Sequence, residues 1–509
     1  MSDDRPANQP ADQSVNQPPD QSADSAAGDA ANRAPAFSPR LTDNTAQLRR
    51  MLGNANDLLI SEHRTAGGIQ YAVVCIDGLS NRMLIQEYML EALIDSEAPD
   101  LQLPVQEMRM TSSFDEAVIG ILSGDSAVLR EGCAAAWVVG TKGWSTRAVE
   151  EPQTEALIRG PRAGFTEDFR TNTALIRRRL RDPNLRFETM QLGRRSRTDI
   201  AIVYVEGIVN DKILQEVRRR IRTIDVDDVT GSGFVEQWLT DHFLSPFPQI
   251  MSTERPDKVT AALLQGKVGI VIDNTPFQLI LPMTFFSFFH SPEDYYQNWL
   301  ITTVIRIMRF GAAFLATFLP AFYIALLEYH HGMLPSELAF SIAGSREGVP
   351  FPAVVEAFAM EATLELLREA GIRLPKPIGQ TIGIVGGLVI GEAAVRAGVV
   401  SPIMVIIVAI TAISSFSLPS YAFAISLRMV RFAVMLSAAL FGLYGIVLSY
   451  IILNIHIANL MSFGIPYSTP FAPTFLSDWK DLILRAPVRL ITSRPDMMKT
   501  KDKHRMKNK

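Results

Sequence analysis

Cysteine is scarce: Cys75 and Cys133 are the two in 509 residues, and neither sits in a CxxC pair or at metal-ligand spacing. That pattern excludes a disulfide-stapled scaffold and a cysteine-bound zinc, and it fits buried thiols in a reducing compartment. Enzyme signatures are missing as well. No GxxxxGK[ST], HExxH, GxSxG or Rossmann GxGxxG occurs, so the sequence indicates no enzyme and no cofactor. His330 and His331 are adjacent at a helix end, where neighbours diverge, and read as an interfacial cap rather than a metal site. The opening MSDDRPANQP lacks the apolar stretch of a cleavable signal, so the N-terminal region is expected to stay on the side where it is made. Net charge is small, −4, and the mean hydropathy of +0.13 is ordinary for a globular chain.

Those averages conceal two halves. From residue 45 to 300 charge is dense and apolar runs are short, whereas from 310 to 460 the apolar runs are long and charges few. The expected fold class is therefore an α/β soluble N-terminal region of two lobes followed by an all-α polytopic membrane domain. Residues 1–44, with the near-repeat NQPADQS and NQPPDQS, hold too little apolar surface to offset ordering entropy and read as a disordered tail. Lobe 1 spans 45–148, where YAVVCID (Tyr71 to Asp77) precedes a helical run from Asn81 to Leu93. A charged connector follows over 149–184. Its centre, Arg159-Gly160-Pro161-Arg162, breaks any helix, and the flanking acids Glu150, Glu151, Glu155, Glu167 and Asp168 form with Arg159 and Arg162 an ion-pair network, a docking surface for another subunit or a solvated face.

Lobe 2, with its membrane-proximal segment, spans 185–298. It contains DIAIVYVEGIV (Asp199 to Val209) and the hairpin candidate KVGIVIDNTPFQLILP, turning at Asp273 to Pro276. Arginine crowds residues 177–197 and 218–222. Without aromatic interleaving, and with Asp225, Asp227 and Asp228 beside it, this density favours lipid headgroups or intramolecular pairing over nucleic acid.

The helical membrane domain is expected over 299–465, with four or five spans. The uncharged run from Phe310 to Leu327 is the first, kinked by Pro320, and Arg306 and Arg309 before it place the N-terminal region inside. Residues Ile378 to Leu418 read as a tight helical hairpin, with Gly379, Gly383, Gly387 and Gly391 marking a face for close helix packing. Phe432 to Ile457 reads as one final span, and the basic tail over 466–509 belongs on the cytoplasmic side, which makes the number of spans even. One helix is harder to place. Phe351 to Gly371 is apolar yet carries Glu361, Glu365 and Glu369 at i, i+4 spacing on one face. An unpaired charge at mid-bilayer costs about 3 kcal/mol on insertion scales. The helix therefore lies at the interface, pairs its acids with Arg368, Arg373 and Lys376, or lines a water-filled cation pathway as a pore or gating face.

Long segments resemble a known family. EEPQTEALIRGPRAGFTEDFRTNTALIRRRL, VIDNTPFQLILP, PMTFFSFFHSPEDYYQ and GVPFPAVVEAFAMEATLELLREAGIRLPKPIGQTIGIVGGLVIGEAAVRAGVV closely resemble the A subunit of the GerA-type nutrient germinant receptors of endospore-forming bacteria. The resemblance runs from about residue 45 to 475. It implies a multi-pass subunit of the spore inner membrane that triggers germination, working with a transporter-like B subunit and a lipoprotein C subunit. It also implies homo-oligomerisation and nutrient-gated ion conduction; a nutrient permease subunit or signalling scaffold is the alternative. On that reading the glutamate helix and glycine ladder become pore and packing elements.

Overall fold

The alternation of apolar residues in the central strands dictates a sheet covered on both faces. In Thr198–Val205, Ile200, Ile202 and Tyr204 enter one core cluster while Ala201, Val203 and Val205 enter another. Gln70–Ile76 repeats the pattern: Ala72, Val74 and Ile76 face one cluster, Tyr71, Val73 and Cys75 the other. The computed structural model describes residues 36–506 apart from 54, 66, 95–106, 144–149, 376–390 and 483.

The strands of the two lobes form two five-stranded antiparallel sheets. Lobe 1 holds α1 (Leu41–Met51), β1 (Leu58–Arg64), β2 (Gln70–Ile76), β3 (Met108–Thr111), α2 (Phe114–Leu122), β4 (Ser126–Arg130) and β5 (Ala136–Val139). Lobe 2 holds α3 (Phe169–Arg179), β6 (Leu185–Leu192), β7 (Thr198–Val205), α4 (Asp211–Ile221), α5 (Ser232–Leu239), β8 (Met251–Thr253), α6 (Pro256–Leu263), β9 (Val268–Ile272) and β10 (Gln278–Leu281). The orders β1-β2-β4-β5-β3 and β6-β7-β9-β10-β8 are the same order twice.

The duplication extends to single residues. Buried Asn44 bonds the backbone of Ser38 through both ends of its amide, and buried Asn172 does the same to Thr166. After the second strand of each lobe, Gly78 (φ 81°) and Gly207 (φ 82°) take the left-handed turn open to glycine. Asn81 and Asn210 then cap the next helical stretch.

These equivalences move two expected boundaries. Residues 36–44, expected in the tail, already carry core contacts through Phe37, Leu41 and Asn44. The end of the expected connector is α3, which opens lobe 2 as α1 opens lobe 1. The lobes are joined by Arg177, whose guanidinium meets Asp57 at 2.8 and 2.9 Å with both side chains buried. The expected hairpin forms, with Leu279 opposite Ile270 and Ile280 opposite Gly269.

Below lobe 2 stand α7 (Trp299–Glu328), α8 (Ser336–Arg346), α9 (Ala353–Arg373), α10 (Pro402–Phe416) and α11 (Tyr421–Asn459). Two of them, α7 and α11, are long and apolar enough to cross a membrane. A phenylalanine cluster roots the bundle in lobe 2: Phe423 of α11 stacks at 5.6 Å on Phe288 and meets Phe285 and Phe289 at 5.1 Å.

The expected single final span is instead two antiparallel arms. Phe247 of lobe 2 lies 6.2 Å from Phe423 and 6.0 Å from His456, residues that a straight helix would set roughly 50 Å apart. The chain reverses at Gly442 (φ 60°, ψ −139°), packed against Tyr329 and His330 at the far end of α7. The physical reason lies in that conformation, which glycine takes readily and which brings the Ser437 hydroxyl to the Gly445 carbonyl across the turn. Both Trp299 and Leu460 thus sit at the lobe 2 end, so the chain enters and leaves the bundle on one side.

Nor does the basic tail hang free. After the short β11 (Met461–Ser462) and β12 (Ile465–Pro466), Tyr467 donates to the Pro248 carbonyl, and Met497 and Met498 join the lobe 2 core.

Candidate functional site

The acidic helix α9 is apolar on most of its surface, so its carboxylates settle where cations meet them. Glu361, 3% exposed, takes Arg431 of the first arm of α11 at 2.5 Å. One turn on, Glu365 pairs with Arg368 at 2.7 Å and Arg428 at 3.4 Å, and Arg368 lies over the Phe416 ring at 5.1 Å. Among the described residues Glu369 pairs with Arg373 of its own helix, at 2.6 Å, and both are exposed. Toward the far end, buried Glu356 pairs with Arg346 of α8 at 2.8 Å and accepts from the Ser401 amide at 3.0 Å.

The resulting layer is close to charge-balanced but not fully bonded. Glu361 Oε1 and Arg431 Nε are buried without a hydrogen-bond partner among the described residues. Groups of that kind are costly at rest and have a partner to gain on rearrangement. Of the counter-ions expected from the sequence, Arg368 and Arg373 pair with Glu365 and Glu369, Lys376 lies outside the described residues, and Arg428 and Arg431, just ahead of the expected final span, are additions. The i, i+3 spacing of those two arginines on an apolar helix was the available signal.

The glycine ladder is brought to the site only in part. Gly391 adjoins α10, where a Cβ would sit 3.7 Å from Val405; Gly379, Gly383 and Gly387 lie outside the described residues.

In the connector, Glu151 and Arg162 approach to 3.9 Å at the surface, Arg159 is exposed, and the Glu150 carbonyl accepts from Gly164. The anchoring residue is Glu155. Burial alone would raise its carboxyl, but Lys258 at 2.7 Å and the Thr253 hydroxyl hold it below the usual carboxylate range. Arg255, fully buried, binds the Glu155 and Pro161 carbonyls and so pins the connector to lobe 2. At the root of α7, buried Arg306 reaches Asp294 at 3.0 Å and Asp481 of the C-terminal segment at 3.3 Å.

A duplicated α/β head, pinned by buried arginines to an apolar helical bundle with an internal ionic layer, defines a class of head-and-bundle protein with two candidate membrane-crossing helices. The comparison with known families is decisive: the Bacillus/Clostridium GerA spore germination protein family model matches residues 46–497, and the chain belongs to that family. It is 47% identical to spore germination protein GerLA of Bacillus cereus, over 90% of this chain and 95% of that one. Spore germination protein KA of Bacillus subtilis (strain 168) is 41% identical over 93% and 89%. The crystallised N-terminal domain of the A subunit of the Bacillus megaterium spore germinant receptor GerK3 is 30% identical, with a TM-score of 0.40, over 50% of this chain and 99% of that domain.

Proposed function

We propose that the chain is the A-type subunit of a nutrient germinant receptor, held in the spore inner membrane by its bundle, and that it oligomerises into a nutrient-gated cation pathway. Its partners are a transporter-like B subunit and a lipoprotein C subunit. The lobes and the C-terminal segment lie on the core side, which the shared exit of Trp299 and Leu460 supports. The acidic helix is the gating face. One observation carries this: Glu361 and Arg431 form a buried, incompletely bonded ion pair between two helices of an otherwise apolar bundle. Such a pair resists separation in the closed state and offers a carboxylate to a cation once the helices part.

The experiment is potassium release from spores carrying the chain with its B and C partners, on exposure to a nutrient panel. Glu361→Gln alone leaves Arg431 buried and unpaired, a cost of about 3–5 kcal/mol, and should reduce both protein level and release. Glu361→Gln with Arg431→Gln removes both charges, so the protein should accumulate while nutrient-dependent release is altered. Wild-type release from the accumulating double variant would sink the gating role. Release that survives deletion of the whole chain would sink the receptor reading.

A further inference from the structure

Lobe 2, the short helical turns leading into α7, and the C-terminal segment line a half-open cavity of about 200 Å³. Its floor is apolar, with Ala262, Ile280, Met283, Leu482 and Met497, and it is small beside the roughly 300–1,000 Å³ of usual ligand sites. Charge in its walls is unevenly committed. Every carboxylate there is held: Asp257 by Arg255 at 3.1 Å, Asp478 by the amides of Asp496 and Met497 at 2.9 and 3.0 Å, and Asp481 by the Tyr295 hydroxyl at 3.0 Å and by Arg306.

Of the cations buried in these walls, Lys267 is not held and Arg494 is held only in part. Lys267, 5% exposed, finds only the Met283 sulfur at 3.2 Å and pairs with no carboxylate among the described residues. Arg494 spends its two outer nitrogens on Asp502 and the Leu264 carbonyl, and its Nε is buried with no partner among the described residues. A buried ammonium without an oxygen ligand is a costly arrangement, and no oxygen of the described residues lies within hydrogen-bond reach of it. In the equivalent place of lobe 1, after the left-handed glycine that follows the second helix, stands Asp125, whose carboxylate meets Lys142 at 3.4 Å. Lobe 2 has put an unmatched positive charge where lobe 1 keeps a paired negative one.

We propose that this cavity binds a small soluble oxyanion, a carboxylate or phosphate with at most a short apolar tail, on Lys267 and Arg494. The site lies at the joint of the molecule rather than in its ionic layer, and it stands whether or not the bundle conducts ions. Its wall residue Asp481 also pairs with Arg306 of α7, whose guanidinium lies over the Tyr295 ring at 5.8 Å, so an occupant ties the C-terminal segment, lobe 2 and the first long helix together. Burial, with Lys258 adding repulsion, holds the Lys267 ammonium down to about 8, so it is charged at neutral pH and loses its charge just above.

The test is thermal unfolding of the purified full chain in detergent against sodium phosphate and sodium acetate, with sodium chloride at matched ionic strength. Phosphatidylglycerol micelles separate a lipid phosphate from a soluble one. A saturable rise in melting temperature with phosphate or acetate is expected, weakening well above pH 8. Lys267→Met should bind about tenfold to a hundredfold more weakly and Lys267→Arg should retain binding, as loss and retention of a charged hydrogen bond require. No saturable rise, a rise undiminished in Lys267→Met, or a rise from phosphatidylglycerol alone overturns the proposal. If Lys267→Met does not accumulate, the wild-type profile decides: binding undiminished at high pH overturns it, and binding lost there supports it.

Discussion

Lys267 and Arg177 show the two ways this protein carries a cation in its interior. Arg177 is 1% exposed and fully answered, by both oxygens of Asp57 and the Leu185 carbonyl, so its desolvation is offset where the two lobes meet. Lys267 is unanswered, and its ordinary value of 10.5 falls to about 8. A cation whose folded value is depressed penalises folding below that value, and the penalty is relieved as pH rises from about 8 to 10.5. Without added anion, the wild-type chain should gain stability over that window relative to Lys267→Met, by about 3 kcal/mol at most. Parallel wild-type and Lys267→Met curves, by chemical denaturation from pH 7 to above 10, would show that the amine is solvated. Arginine density was visible in the sequence, and so was Asp225, which Arg194 meets at 2.7 Å; other partners were not. Glu188 for Arg218, Glu206 for Arg186 and Asp241 for Arg220 lie on other elements, and only the fold brings them together. Glu155 was visible as one acid of the connector, but nothing local marked it as the anchor, because Lys258 is brought to it by α6.

At the scale of elements, α7 and the β9–β10 hairpin were legible because each is defined locally, by an uninterrupted apolar run and by turn residues between two apolar strands. The second half of the bundle was not. A 39-residue apolar helix is far longer than the ~20 residues that cross a bilayer, and that excess was the signal of a reversal inside it. Gly442 gave no local hint, since glycine is common in apolar helices. The hairpin makes a topological prediction. In a background with Cys75 and Cys133 replaced, Leu476→Cys and His331→Cys should be labelled by an impermeant maleimide from opposite sides of sealed vesicles. Labelling of both from one side would restore the straight helix. Gly442→Ala should prevent the reversal, because its Cβ would lie 2.9 Å from His330 and the backbone stands at φ 60°, ψ −139°.

At the scale of the molecule, the duplicated head explains what the alternating pattern could and could not reveal. Two α/β lobes were expected, yet their equivalence went unread, although VVCIDGLSN and IVYVEGIVN stand in the two sequences at the same turn. Apolar periodicity reports an element's faces and says nothing of its kinship to another element. The same limit hid the fate of the C-terminal segment. Its lysines and arginines read as an exposed basic tail, whereas Met497 and Met498 complete the lobe 2 core and Lys501 and Asp502 donate backbone amides to Ile208 and Gly207. Lobe 2 is therefore finished by chain that has already passed through the bundle, so head and bundle should unfold as partners rather than in sequence. Met498, 1% exposed, tests this. Met498→Ala should cost the head about 2–5 kcal/mol, read by urea unfolding of the full chain in detergent, whereas Met83→Ala at an exposed position should cost under about 0.5 kcal/mol. Equal, small effects would make the C-terminal segment an adherent tail and leave lobe 2 complete without it. A loss confined to Met498→Ala would mean that a disturbance in the head reaches the exit of the last helix through its own core.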